Sequence, residues 1–252
     1  MTVLRSALGP TKIGDMVASL RTVAKVGGLS IGVMAAQAAV AVLRPVPDQR
    51  EFDASGIVGS GDPMRTWTVL GDSTTTGTGL VGVDDIWVRQ LARRVGGTVQ
   101  IRSVGQGGAR ARDVVAHQLV AACTEPSDVA FLSIGANDVL KGESIARFRS
   151  ALDTAVYRLC EVHRVVVVSG VGDLGTIPRL HHPLRAAVAH RGRRFDRVSA
   201  EVADRHGAAK LVRPSPLTRS MYGLDLFHPN VRGHTIWADA AQATLAAFFP
   251  VG

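Results

Sequence analysis

The sequence predicts an open, doubly wound α/β domain, and three observations carry that prediction. From Trp67 onward, short β-branched runs alternate with longer helical patterns, which implies parallel strands joined by crossover helices. The apolar runs near Val69, Val129 and Val166 are nearly continuous rather than alternating, so those strands are expected to be buried on both faces. Five such runs occur, too few to close an eight-stranded barrel.

In chain order, TWTVLG (66–71) precedes a helix around Asp85 to Val95, and TVQIRSVG (98–105) precedes one around Arg110 to Ala122. DVAFLSIG (128–135) leads to a helix around Ser144 to Val162, and RVVVVSGVG (164–172) to one around Pro183 to His206. AAKLVR (208–213) precedes a final helix around Asn230 to Phe249. In an open sheet of this kind, ligands bind beyond the carboxyl ends of the strands. Chemistry is therefore sought immediately after each run.

The amino-terminal part reads differently. Val26 to Leu43 is an uncharged stretch of 18 residues, preceded by Arg21 and Lys25 and followed by Arg44, Asp48, Glu51 and Asp53. The excess positive charge on its amino-terminal side predicts a membrane-targeting segment that keeps that end in the cytoplasm and exports the rest. An uncleaved anchor and a signal cleaved among the small residues Ala36 to Ala41 are both open. Residues 45–65, with Pro, Gly and charge but no apolar period, are expected to be a linker. The predicted organisation is thus a signal or anchor over 1–44, a linker over 45–65 and a catalytic domain over 66–252.

Composition narrows the function classes. A chain of 252 residues that is 46% hydrophobic and 20% charged can build a full core, which excludes a disordered tail protein. Two cysteines, Cys123 and Cys160, and no Cys-x-x-Cys leave neither a disulfide-stapled miniature fold nor a structural zinc cluster. The net charge of +8 is concentrated in residues 1–44 and Arg179 to Arg213. No recognition helix, aromatic RNA-binding strand or zinc finger accompanies the basic run, so nucleic acid is set aside in favour of a solvated helix face or an anionic envelope surface.

Four segments carry chemistry. Gly71-Asp72-Ser73-Thr74 follows the first run and places a serine at a strand-to-loop junction. Serine is a poor nucleophile until a base removes its proton, and Asp225-x-x-His228-Pro229 supplies an imidazole with a carboxylate three residues away to fix its tautomer. Gly135-Ala136-Asn137-Asp138 follows the third run and offers an amide donor to a developing oxyanion. Gly105-Gln106-Gly107-Gly108-Ala109-Arg110 follows the second and offers backbone N–H groups. A dinucleotide fingerprint starting at Gly105 would need a small residue where Arg110 stands. The adjacent His181 and His182 make a poor metal pair, and His117, His163, His190, His206 and His234 are expected at the surface or satisfied in the core; His234, near His228 in sequence, is also a candidate backup base.

Together these blocks resemble the SGNH, or GDSL-type, hydrolase superfamily over about residues 66 to 249. The resemblance implies a three-layer α/β/α sandwich with a five-stranded parallel, flavodoxin-like sheet. It implies Ser73 as nucleophile, His228 as base and Asp225 as its partner, with an oxyanion hole from Ser73, Gly108 and Asn137. It also implies a serine esterase acting on acyl esters, either lipid or acylated carbohydrate, without metal or organic cofactor. An O-acyltransferase using the same triad, or an inactive envelope-binding module, are the alternative functions. Thr74 stands where the family has leucine, and Gly107-Gly108-Ala109 departs from the usual glycine block, leaving Gly107 as a second candidate donor. The Gly-x-Ser-x-Gly elbow of α/β-hydrolases is absent. Gly172 to Gly175 and Ile177 to Leu184 are expected to shape the substrate pocket. Cys123 and Cys160, ahead of strands adjacent in the family's sheet, are either a disulfide or two buried thiols.

Overall fold

The computed structural model describes residues 32–40, 43, 49–212 and 214–249. The chain divides into two compact units, Met1–Arg44 with Leu180–Leu184, and Pro45–Arg179 with Arg185–Gly252. In the first, residues 32–40 are helical, and Gln37 donates to the His182 carbonyl and accepts from the Leu184 N–H. Much of the expected membrane-targeting segment, including residues 26–31, lies outside the described residues. Among those described, no helix is long and apolar enough to cross a membrane.

The second unit is built on a six-stranded sheet. Its strands are β1 (Gly56–Val58), β2 (Arg65–Gly71), β3 (Val99–Ser103), β4 (Val129–Ser133), β5 (Val165–Val168) and β6 (Ala209–Lys210), in the spatial order β1-β3-β2-β4-β5-β6. β2 to β6 run parallel and β1 pairs antiparallel to β3, with Ile57 opposite Gln100. The expected five-stranded parallel sheet is therefore a six-stranded mixed one, and the expected linker contributes its sixth strand. β1 is invisible to periodicity because it is three residues long. It is bounded by Gly56 and Gly59, and a side chain at Gly59 would stand 2.8 Å from the Gly97 carbonyl.

The central strands form because β-branched and large apolar residues fill positions buried on both faces: every residue of β4 is buried, as are the last five of β2. Trp67 of β2 and Trp87 meet Phe131 edge to face at 5.4 and 5.3 Å, in one core with Leu91, Ala238 and Leu245 from the helices Trp87–Arg94 and Val231–Leu245. Phe148 and Phe195, from the helices Ile145–Val162 and Leu184–Arg205, pack at 4.8 Å. Ser144 and Asn230 cap two of these helices by accepting backbone N–H groups, which sets where each begins. The helix after β3 is interrupted: Ala111–Asp113, a π turn over Val114–Gln118, then Leu119–Ala122. Cys123 and Cys160 are both free thiols.

Candidate active site

β2 and its neighbour β4 end side by side, and the backbone there is held closely. Gly71 has φ +148°, and a β-carbon on it would lie 2.1 Å from the Ser133 carbonyl oxygen. Any side chain at that position would push the two strand ends apart. The buried Gln118, at the end of the π turn, grips Gly71 from the other side. Its Oε1 accepts the Gly71 N–H and its Nε2 donates to the Gly71 carbonyl, both at 2.9 Å.

Asp72 then turns the chain into a short helix, Ser73–Thr76, by accepting the Thr74 N–H at 3.0 Å. Burial pushes the Asp72 carboxyl up, against the hydrogen bonds from Thr74, the His228 charge and the Asn137 side chain. Ser73 is half-buried at the first helical position, where a backbone N–H has no intrahelical acceptor. Thr74, the departure from leucine, shares a hydrogen bond with Ser133 Oγ at 2.7 Å.

Asn137 is the second residue of the helix Ala136–Leu140 that follows β4. Its neighbour Asp138 is buried and accepts the Ala111 N–H. Burial pushes Asp138 up to about 6, opposed by that N–H and aided by the charges of Glu143 and Asp72. In the loop after β3, Gly107 donates its N–H to Glu51 at 3.2 Å, whereas no acceptor among the described residues meets the Gly108 N–H. Gly108 has φ +74°, and its carbonyl accepts from Lys141 Nζ at 2.7 Å, which ties this loop to the end of the Asn137 helix.

The Asp225–His228 pair sits on a tight turn. Leu226 adopts φ +57°, rare for a side-chain-bearing residue, and the turn closes through Gly223 N–H to the His228 carbonyl at 2.8 Å. Arg179 braces it by donating to the carbonyls of Asp225 and Leu226. The geometry folds the Asp225 carboxylate back under its own chain, where Oδ1 accepts the N–H groups of Phe227 and His228 at 3.0 and 3.1 Å. Oδ2 takes His228 Nδ1 at 2.7 Å and Gln49 Nε2 at 2.5 Å. Burial alone would raise this carboxyl, but the hydrogen bonds from His228, the Phe227 N–H and Gln49 outweigh it and hold Asp225 down at about 2. Asp225 is thus an anion across the neutral range, and it fixes the imidazole with Nδ1 inward.

Ser73, Asn137 and His228 line one cavity of about 140 Å³, whose wall is largely apolar, with Leu140, Val171, Leu174, Ile177, Phe227 and Trp237. Asp225 stands behind His228. No hydrogen bond joins Ser73 to His228 among the described residues, and Gly108 is not among the residues lining the cavity. Gly172, Asp173 and Leu174 border it as expected, but of the expected wall from Ile177 to Leu184 only Ile177 does, and Pro214 to Leu217 supply a wall that no motif announces. His234, the candidate backup base, is buried instead: its Nδ1 accepts the Trp87 N–H at 3.2 Å, and burial with the nearby His228 charge lowers it to about 3. Gln118, Gln49, Arg179 and Lys141 escape a motif-based reading. Only Gln118 leaves a trace in sequence, as a polar residue inside the apolar pattern of its helix.

The architecture has known relatives. A GDSL-like esterase of Mycobacterium tuberculosis, Rv1075c, is 27% identical over 201 residues, 71% of this chain; the match spans 64% of the relative's length. The crystal structure of TesA superposes with a TM-score of 0.61 at 20% identity, covering 73% of this chain and all of that one. An extracellular lipase from Streptomyces rimosus superposes with a TM-score of 0.55 at 18% identity, covering 71% and 99%. The sequence model of the GDSL-like lipase/acylhydrolase family matches residues 69–236, the interval from the β2 strand before Ser73 to the helix after His228. With two thirds of its length matched, from the Ser73 loop through the Asp225–His228 turn, the chain belongs to the GDSL-like lipase/acylhydrolase family.

Proposed function

We propose that this protein is a serine esterase for short acyl chains. The observation that carries the reading is an imidazole fixed by an ionised, fully hydrogen-bonded carboxylate on the rim of an apolar cavity shared with Ser73 and Asn137. In this mechanism His228 Nε2 takes the Ser73 proton as Oγ attacks the ester carbonyl. The oxyanion takes donors from the Ser73 N–H and the Asn137 amide, which line the cavity, with the open Gly108 N–H, outside that lining, as the third donor that the family resemblance implies. Collapse expels the alcohol, which leaves with the proton from His228. Water, deprotonated by the same imidazole, then attacks the acyl carbon, and as that intermediate collapses His228 returns the proton to Ser73 Oγ and the acid leaves. Asp225 stays ionised throughout and stabilises the imidazolium.

Cavity size supports the acyl-chain assignment. An apolar cavity of about 150 Å³ accommodates one benzene ring, so about 140 Å³ suits an acyl chain of roughly four to six carbons. The family name and the mycobacterial relative, an esterase by name, agree with an ester substrate. The test is hydrolysis of p-nitrophenyl acetate, butyrate, hexanoate and laurate by the full chain and by Ser73→Ala. Butyrate or hexanoate is expected to give the highest kcat/KM, with turnover lost in the variant. Activity retained by a folded Ser73→Ala would overturn the serine mechanism, and a laurate optimum would overturn the chain-length assignment.

We further propose that the amino-terminal segment directs the domain outside the cytoplasm, on the strength of the charge asymmetry around Val26 to Leu43. Protease accessibility of the domain in intact cells tests this. A domain protected until the membrane is permeabilised refutes it.

A further inference from the structure

Three residues of the stretch 49–52, in the expected linker beyond the anchor, touch three separate parts of the site. Gln49 Nε2 donates to Asp225 Oδ2 at 2.5 Å, the same oxygen that holds His228 Nδ1. Glu51 Oε2 accepts the Gly107 N–H at 3.2 Å. Phe52 donates its N–H to the carbonyl of Thr76, the last residue of the helix that begins at Ser73, at 2.8 Å. The far end of this segment is fastened, since Ala54 is fully buried and β1 follows at Gly56.

We propose that residues 49–52 are a positioning strap for the catalytic machinery, with Gln49 orienting Asp225 and Glu51 orienting the Gly107–Gly108 loop. The inference rests on the triad reading given above. An ionised carboxylate offers about four acceptor sites. Two backbone N–H groups occupy Oδ1, and His228 and Gln49 share Oδ2. Gln49 is the donor that fixes Asp225 from outside its own turn, so it resists rotation of the carboxylate that would carry His228 away from the serine.

Glu51 acts by occupation. Its carboxylate lies against the Gly107 backbone so closely that a β-carbon there would stand 1.6 Å from Oε1. It consumes the Gly107 N–H, whereas that of the adjacent Gly108 stays open among the described residues. The strap is therefore part of the enzyme, although it precedes every family motif: a protein beginning at residue 53 keeps all the motif residues and loses both orienting side chains.

The test compares the full chain with Gln49→Ala, Gln49→Glu, Glu51→Ala, Glu51→Gln and Ser73→Ala, measuring kcat, KM, melting temperature and the pH profile on p-nitrophenyl butyrate. Gln49→Ala is expected to lower kcat about 10- to 100-fold, the usual cost of losing a residue that orients a reactive one, with KM changed less than about twofold. Gln49→Glu is expected to be worse at neutral pH, where a second carboxylate faces Asp225, and to recover as pH falls and the new carboxyl gains a proton to donate. Glu51→Gln, which keeps an acceptor, is expected to restore the kcat lost in Glu51→Ala.

Wild-type kcat in both alanine variants, beside an inactive Ser73→Ala, would overturn the strap and leave the triad standing. Loss of activity that only follows a fall in melting temperature, without the pH-dependent recovery of Gln49→Glu, would also overturn it. An active Ser73→Ala would instead overturn the triad reading beneath it.

Discussion

Two histidines six residues apart, His228 on the turn before the last helix and His234 inside that helix's first turns, have opposite fates. His228 is one-fifth exposed, faces the cavity and is held at Nδ1 by an ionised aspartate. His234 is 1% exposed and its Nδ1 accepts a backbone N–H, so it is kept neutral and pushed down to about 3. The residue type is the same; the partner on Nδ1 and the access to water differ. An imidazole with a carboxylate behind it can take up a proton during turnover, whereas one that must accept a backbone N–H in a dry core cannot. The helix cap between them, Asn230, marks the boundary: before it the chain is a turn aimed at the cavity, after it a helix aimed at the core.

The largest effect expected from breaking this contrast is at His228. His228→Ala is expected to reduce kcat by about 10⁴-fold or more, since a triad loses nearly all of its advantage when one member goes. Retained ester turnover in steady-state assays would remove it from the mechanism. Asn137→Ala comes next, with an expected loss of about 10² to 10³ in kcat. Because the amide acts on the transition state, KM should move little, and an unchanged kcat would exclude it as an oxyanion donor.

The smallest catalytic effect is expected at His234. His234→Leu should leave kcat within about twofold but cost roughly 1–3 kcal/mol of stability, because the Trp87 N–H loses its acceptor in the core. The sign of the pH dependence follows from burial. His234 folds neutral with a value near 3 and unfolds to an ordinary imidazole, so the unfolded state binds more protons and stability falls as pH drops below about 6.5. His163, buried against Ser127 and lowered to about 4, acts in the same direction. The fall in melting temperature from pH 7 to 4 should therefore be smaller for His234→Leu than for the wild type; an equal fall would contradict the buried neutral assignment.

Much of this site is legible in the sequence because its parts are local. The spacing from Asp225 to His228 lets a carboxylate fold back on an imidazole within one turn, and Gly71-Asp72-Ser73 at the end of a buried run forecasts a serine at a strand terminus. The parallel strands were equally visible, since continuous apolar runs signal burial on both faces. What was not legible depends on long-range partners. Gln118 reaches Gly71 across 47 residues and Gln49 reaches Asp225 across 176, and neither belongs to a motif. β1 lies in a stretch whose Gly, Pro and charge read as linker. Its pairing is stabilised by the edge that β3 presents and not by any pattern of its own.

The sequence by itself determined which residue types end the strands, roughly where the helices run, and that a serine and an amide follow strands while an Asp–His pair precedes the last helix. Each of these is encoded within a few residues by propensity, turn chemistry and burial period. Only the tertiary structure decided which histidine meets the cavity, that the Gly107 N–H is occupied while that of Gly108 is open, and that the cavity wall is largely apolar. Those outcomes depend on strand order: with β3 and β4 flanking β2, loops distant in sequence share one edge, and burial is assigned by what packs there.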